Sequence, residues 1–260
     1  MCLAIVALDA HPRFALVVAA NRDEHHARPA APARWWDEGW LGGRDLQAGG
    51  TWLGVTRAGR FAFVTNVREP GRRDVAAPSR GMLVTRALDA RMPAQVAVER
   101  ALDGGAAFNG FNLIAGDAGT VCWGSNRVAV TVTLGPGVHG LSNAALDTAW
   151  PKVTRSRTAV RRWCEAGSDD AEALLAILGD RTLADDSELP QTGLPREWER
   201  LLSAPFIVSA ERGYGTRCST LMCIDRAGGA RFIERSFDPD GCATGTVDLR
   251  FEVEAVAQRG

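Results

Sequence analysis

The fold of this chain is decided by its first 24 residues, which read MCLAIVALDAHPRFALVVAANRDE. Two apolar runs of strand length, 1–8 and 14–24, flank a short polar segment with a proline, a pattern typical of a hairpin connection. Neither run alternates cleanly between apolar and polar residues, which predicts strands buried on both faces. In an antiparallel pair, the start of the first strand lies beside the end of the second. Cys2 is therefore expected close to Arg22 and Asp23.

The position of Cys2, directly after the initiator methionine, suggests a specific chemistry. Removal of Met1 would leave Cys2 with both a thiol and a free α-amine. Such an amine has a reference pKa of about 7.7–8.0, so it can serve as the nucleophile's own general base near neutral pH. A neighbouring guanidinium would favour the thiolate, and a carboxylate could orient the amine. The alternative is that Cys2 is only a small apolar residue opening a buried strand.

Further motifs follow along nearly the whole chain: ANRDE (20–24), RP (28–29), GGTWLG (49–54), TN (65–66), NGFNL (109–113), GLSNA (140–144) and GYGTR (213–217). Together with the opening Met-Cys, these motifs resemble, in the same order, those of the NRDE family, also called the transport-and-Golgi-organisation family. That family is similar, more distantly, to the N-terminal-nucleophile hydrolases of the bile-salt-hydrolase and penicillin-V-acylase kind.

The resemblance implies a set of site residues. Those acylases use a terminal cysteine, an arginine and an aspartate after the second strand, two asparagines and a late arginine. The matching residues of this chain are Cys2, Arg22, Asp23, Asn66, Asn143 and Arg217. The arginine and aspartate are separated in the acylases but adjacent here. Since adjacent strand residues point to opposite faces, one of the two is expected to face away from Cys2 if the strand continues through both.

The composition is that of an ordinary globular protein, with 260 residues, 46% hydrophobic and 23% charged, and a net charge of −1. This charge balance gives no reason to expect a nucleic-acid partner. No apolar stretch reaches membrane-span length, and charges interrupt the first apolar run, unlike a secretory signal. The six cysteines contain no Cys-x-x-Cys pair, which indicates free thiols in a reducing compartment. We therefore expect a cytoplasmic protein without stable membrane insertion.

Apolar periodicity and capping signals predict strands at both ends of the chain and between 111 and 143, with helices before and after that middle group. Helices are expected over 79–89, 93–102 and 151–166, and after the capping segment 168–170. Residues 180–204 are predicted to form a long excursion with one short helix, which is typical of a lid or binding loop. One α+β domain over 1–260 is expected. The resemblance implies a four-layer αββα sandwich of the N-terminal-nucleophile hydrolase type.

Two further features leave alternatives open. The outer face of the helix predicted after Pro151 would carry four basic residues, Lys152, Arg155, Arg161 and Arg162. It could hold phosphate or propionate groups, although a solvated surface is the commoner explanation. Residues 25–50 show no sustained period but contain three of the four tryptophans at 35, 36, 40 and 52. These rings could floor a planar or acyl ligand or fill the rim of the core.

Two functions are consistent with these residues. In the first, Cys2 attacks an amide or thioester carbonyl of a hydrophobic acyl substrate, while Asn66 and Asn143 hold the oxyanion. This chemistry requires no cofactor. In the second, which the family resemblance implies, the same pocket binds haem or acyl-CoA for trafficking without catalysis. Arg22 and Arg217 would bind an anionic group in either function.

The histidines give little indication of a metal site. The four histidines lack the spacing to cysteines or carboxylates that zinc sites use, so no metal is expected. His25-His26 could ligate haem iron, but adjacent histidines in a charged segment are more often at the surface.

Overall fold

The computed structural model describes residues 2–89, 92–117 and 119–254, which form two antiparallel sheets covered by helices. Within these residues, the first sheet consists of β1 (Cys2–Leu8), β2 (Phe14–His25), β10 (Gly137–Leu141), β11 (Val208–Ser209), β12 (Tyr214–Asp225), β13 (Gly229–Phe237) and β14 (Ala243–Glu252). The second consists of β3 (Ala30–Trp35), β4 (Trp40–Asp45), β5 (Leu53–Thr56), β6 (Phe61–Asn66), β7 (Phe111–Gly116), β8 (Val121–Ser125) and β9 (Val128–Thr133).

The strand order places the first and last strands in one sheet. The first sheet runs β10-β1-β2-β12-β13-β14, with β11 beside β12, and the second runs from β3 to β9 in sequence order. Helices α1 (Gly81–Asp89) and α2 (Ala94–Asp103) pack on the second sheet, and α3 (Pro151–Glu165) and α4 (Ala171–Leu178) pack on the first. The result is the predicted αββα sandwich.

The excursion 180–204 contains the short helix that its sequence predicts, α5 (Arg196–Leu201). The N-terminus of α4 is also as predicted, because the Asp170 side chain accepts a hydrogen bond from the Glu172 main-chain N–H at 2.9 Å. Within the part of the chain that is described, no helix has the length and apolar character needed to cross a bilayer.

The two faces of the β1–β2 hairpin are buried against different layers. Even-numbered residues such as Ala4, Val6 and Val18 point into the core between the two sheets. Odd-numbered residues such as Leu3 and Ile5 point into a second core beneath α3 and α4. Burial on both faces removes the need for polar alternation, which is why the sequence of this hairpin reads as two continuous apolar runs.

Strands β3 and β4 lie in the segment 25–50, where the sequence showed no period and predicted no strand. Contacts with residues distant in sequence stabilise these two strands, whose own sequences carry no strand pattern. The Ala33 main-chain N–H of β3 donates to Glu234 of the first sheet at 2.7 Å. Trp40 is buried against α1 and α2, and the ring of Trp35 meets that of Phe251 edge-on. These tryptophans fill the core and its rim.

Replacing Phe61 by alanine should lower the free energy of unfolding by about 3–5 kcal/mol. Its ring is 1% exposed and lies so close to Gly116 that an added Cβ there would be 2.2 Å away, so truncation leaves a cavity between the sheets. Val130→Ala on β9, 48% exposed, is the control and should cost less than about 0.5 kcal/mol. Urea unfolding of both variants measures this. Equal small losses would contradict the inter-sheet core.

Candidate functional site

The predicted pairing of Cys2 with Arg22 is present in the structure. The two residues are direct cross-strand partners in the antiparallel ladder between β1 and β2. Both are even-numbered, so both side chains lie on the face turned toward the second sheet. The Cys2 carbonyl accepts a hydrogen bond from the Ser142 hydroxyl at 2.8 Å, which fixes the start of β1 to the segment after β10. Cys2 is half-buried at this edge of the sheets.

Arg22 is buried and packs on Trp52, the residue directly before β5 of the second sheet. Its guanidinium lies 4.6 Å from the centre of the Trp52 ring, and its Nη1 has no hydrogen-bond partner among the described residues. Trp52 can lie there only because position 43 is a glycine: a Cβ on Gly43 would be 2.1 Å from the Trp52 ring. Burial raises the pKa of the Glu234 carboxyl to about 7, and the positive charge of Arg22 opposes this rise. Arg22 thus keeps a buried donor available for a ligand.

Asn66, the last residue of β6, and Asn143, two residues after the end of β10, are also brought together. The Asn143 Nδ2 group donates to the main-chain oxygen of Asn66 at 2.9 Å and to its Oδ1 at 3.1 Å. Ser142, which holds Cys2, also donates to Asn143 Oδ1 at 3.2 Å. Because its oxygen faces Asn143, the Asn66 carboxamide turns its NH₂ group the other way. Asn143 therefore positions Asn66, and Asn66 has the amide donor turned outward from the pair.

Asp23 is the residue of the Arg-Asp pair that faces away from the Cys2 thiol. β2 continues to His25, so Asp23 points with the other odd-numbered residues toward the α3 layer. It is buried, and its Oδ1 accepts a hydrogen bond from the Thr216 hydroxyl at 2.8 Å. Burial raises the pKa of Asp23, and the positive charge of Lys152 opposes that rise.

Arg217 lies in a β-bulge of β12, between Thr216 and Cys218. Its Nη1 group donates to the main-chain oxygens of the turn after β2, those of His25, His26 and Arg28, at 3.1, 3.3 and 2.8 Å. Burial lowers the pKa of Arg217, and so does the positive charge of Arg22. Arg217 thus fastens this turn while remaining within electrostatic range of Arg22.

Two cations at this site were missed from the sequence. The prediction that Lys152 lies on the outer face of α3 is wrong, because its side chain is fully buried and its charge acts on Asp23 and Cys2. A cation in the first turn of a helix opposes the helix dipole, and that signal could have identified it. Arg80, just before α1, donates to the Gly110 oxygen at 3.0 Å and also interacts electrostatically with Cys2. No comparable signal marks Arg80.

A cavity of about 500 Å³ lies away from these residues, between the α3–α4 region and β12–β14. Its walls include Phe14, Trp163, Leu174 and Ile233, and none of the six candidate residues lines it. Among the described residues, no three His, Cys, Asp or Glu side chains come close enough together to hold a metal ion.

The chain is similar in sequence to known proteins over most of its length. Residues 1–239 match the family described as Transport and Golgi organisation 2. The chain is 35% identical to the Transport and Golgi organization protein 2 homolog of Bos taurus, over 97% of this chain and 100% of that protein. It is 32% identical to the homolog of Homo sapiens, over 91% and 93%.

The fold also occurs among solved structures. The chain is similar to the C2A mutant of conjugated bile acid hydrolase from Clostridium perfringens, with a TM-score of 0.50 and 10% identity over 100% of this chain and 99% of that one. This similarity, together with the two sheets and their helical layers, identifies the fold as that of the N-terminal-nucleophile hydrolases.

Iodoacetamide at neutral pH should label Cys2 well before Cys164 and Cys223. Burial raises the pKa of Cys164 to about 11 and that of Cys223 to about 12, so both thiols stay protonated. Arg22→Gln should slow labelling of Cys2 about fivefold, the factor that corresponds to about 1 kcal/mol. The exposed Cys242 is the internal control and should be unaffected. Peptide mapping gives the rates; equal rates for Cys2 and Cys164 would contradict the assignment.

Proposed function

The chain belongs to the Transport and Golgi organisation 2 family, and from this premise we propose that Cys2 is the nucleophile of a hydrolase acting on amide or thioester bonds of hydrophobic acyl substrates. The observation that carries the proposal is the convergence at one sheet edge. Cys2 lies opposite Arg22, and Ser142 bonds to both Cys2 and Asn143. A thiol, a cation and two amides are the parts that acyl transfer needs.

The proposed reaction has two steps. In the first, the Cys2 sulfur attacks the carbonyl carbon, and its proton passes to the α-amine that removal of Met1 exposes. The C–N or C–S bond of the substrate breaks, the leaving amine or thiol takes up that proton, and the acyl group remains on Cys2 as a thioester. In the second, water attacks this thioester, which releases the carboxylic acid and restores the thiol. No cofactor takes part in either step.

The side chains divide the work between the two faces of the sheet. On the face between the sheets, Arg22 stabilises the thiolate, and Asn66 donates an amide N–H to the oxyanion while Asn143 holds Asn66 in place. On the other face, Asp23 serves the α-amine. The main-chain nitrogen of Cys2 lies in the plane of the sheet, so it is open to a residue on the face opposite the thiol. Because Arg22 and Asp23 are adjacent in β2, they can act on Cys2 from opposite faces of the sheet.

The surroundings of Cys2 favour an anionic ligand. Arg22 lies opposite Cys2, Arg80 interacts electrostatically with it, and Arg217 is within electrostatic range of Arg22. Arg22 Nη1 and Arg217 Nε have no hydrogen-bond partner among the described residues. The same groups support the second candidate function, in which the protein carries haem or acyl-CoA in the cytoplasm without cleaving it. A carrier needs the cationic groups but not the thiol, and this difference separates the two functions.

Cys2→Ala should abolish thioester and amide turnover, because the nucleophile is lost while only a small volume is removed. Affinity for acyl-CoA, measured by titration, should stay within about twofold.

Asn66→Ala should lower kcat by about 10²–10³, as for other oxyanion donors. Arg22→Gln should weaken binding of an anionic ligand by about ten- to a hundredfold. Cys242→Ala is the matched control and should change nothing.

Turnover by the wild-type protein that survives Cys2→Ala would refute the nucleophile. If wild-type protein binds haem or acyl-CoA but hydrolyses no substrate, and Cys2→Ala binds equally well, the carrier function is correct instead.

A further inference from the structure

Lys152 is buried and lacks the solvent contacts of an ordinary surface lysine. It is 1% exposed, and its Nζ has no hydrogen-bond partner among the described residues. It also occupies the first turn of α3, where the positive end of the helix dipole disfavours a cation. A buried ammonium without hydrogen bonds is costly unless an opposite charge compensates it.

Four ionisable groups interact electrostatically with Lys152. They are Cys2 of β1, Asp23 of β2, Arg68 in the segment after β6 and Glu199 of α5. Tyr214 of β12 interacts with Asp23 and stays neutral, because burial raises its pKa. Ser156, one turn further along α3, is buried beside it in the same helix. Of these groups, Asp23 interacts most strongly with Lys152.

The other carboxylate of this cluster is already engaged. Glu199 forms a salt bridge with Arg68, the two side chains being 4% and 3% exposed, and it also accepts hydrogen bonds from the Thr192 hydroxyl and main-chain N–H. Arg68 in turn stacks on Trp150, 4.4 Å from the ring centre. With Glu199 matched to Arg68, the charge that balances Lys152 is that of Asp23.

We propose that Lys152 is a positioning residue for the nucleophile: from the helical side of the sheet it keeps the buried Asp23 ionised, and the Asp23 carboxylate holds the α-amine of Cys2. This inference rests on the proposed hydrolase function. Lys152 acts on Asp23 through its charge and makes no hydrogen bond to it. Nothing passes between Lys152 and the substrate.

The electrostatics of the pair agree with this role. Burial raises the pKa of Asp23 and so favours its protonated form, which lacks the negative charge that strengthens a hydrogen bond from the α-amine. The Lys152 charge opposes that rise. Burial lowers the pKa of Lys152 itself to about 8, and Asp23 opposes that fall. Each charge therefore sustains the other, and loss of Lys152 leaves Asp23 protonated at higher pH than before.

A direct test of the pair follows the ¹³Cε signal of Lys152, the only lysine of the chain, in the full-length protein by NMR as a function of pH. The absence of this signal in Lys152→Arg confirms its assignment. We expect it to titrate below the ordinary lysine range, and to titrate lower still in Asp23→Asn. Asp169→Asn, which removes an exposed carboxylate paired with Arg13, is the control and should leave it unchanged. Titration at the ordinary lysine pKa in both wild type and Asp23→Asn would overturn the pairing.

The second test measures kcat/KM against pH with a thioester substrate. Lys152→Met should move the acid limb of the profile to higher pH, because Asp23 then protonates more readily. Lys152→Arg, which keeps the cation, should restore the limb. A uniform loss of kcat/KM with an unmoved acid limb would assign Lys152 a structural role only and refute the proposal.

The two tests separate the inference from the function on which it rests. If wild-type protein hydrolyses no substrate while the Lys152 signal responds to Asp23→Asn as expected, the hydrolase function fails, and with it the positioning role. If hydrolysis depends on Cys2 but the Lys152 signal ignores Asp23, the function stands and the positioning role is refuted.

Discussion

The ladder between β1 and β2, with Cys2 opposite Arg22, is the constraint on which the site depends. A slip of one residue would turn Cys2 toward α3 and would exchange the two buried sets of the hairpin. The register is strongly specified because each set fits its own core, Ala4 and Val6 between the sheets and Leu3 and Ile5 under the helices. The ordinary packing of apolar residues thus places a thiol beside a buried guanidinium.

The site also concentrates polar groups whose hydrogen bonds are incomplete. Arg22, Arg68, Arg217 and Lys152 each have a buried N–H group without a partner among the described residues. Each such group costs about 1–3 kcal/mol of folding free energy, which the two apolar cores must offset. Such a cost at one edge of the sheets is typical of a site whose donors are kept for a ligand or a reacting group. Packing of the Arg22 guanidinium on Trp52, which Gly43 makes possible, also costs folding free energy, because it holds the cation away from water.

Much of the fold was predictable from the sequence, since long apolar runs and caps mark their elements directly. The αββα layers, the first hairpin, the Asp170 cap and the short helix of the excursion agree with prediction. β3 and β4 were not predicted, because their pairing depends on contacts with distant residues such as Glu234 and Phe251. The helical period could not place Lys152 either. A lysine reads as polar, and only tertiary charges such as Asp23 make its burial tolerable.

Among the residues carried over by resemblance, Cys2 pairs with Arg22, and Ser142 links Cys2 to Asn143 and Asn66. The structure also assigns distinct contacts to the individual residues. Asn143 holds Asn66, Arg217 holds a turn, and Asp23 lies behind the sheet with Lys152. In the proposed mechanism Arg22 acts on the thiol from one face of the sheet and Asp23 holds the α-amine from the other, so the mechanism depends on a free amine at Cys2. The intact mass of the untagged protein, purified from its own cell, tests this most directly. We predict a mass smaller than that of the full sequence by one methionine residue, and quantitative retention of Met1 would contradict the mechanism.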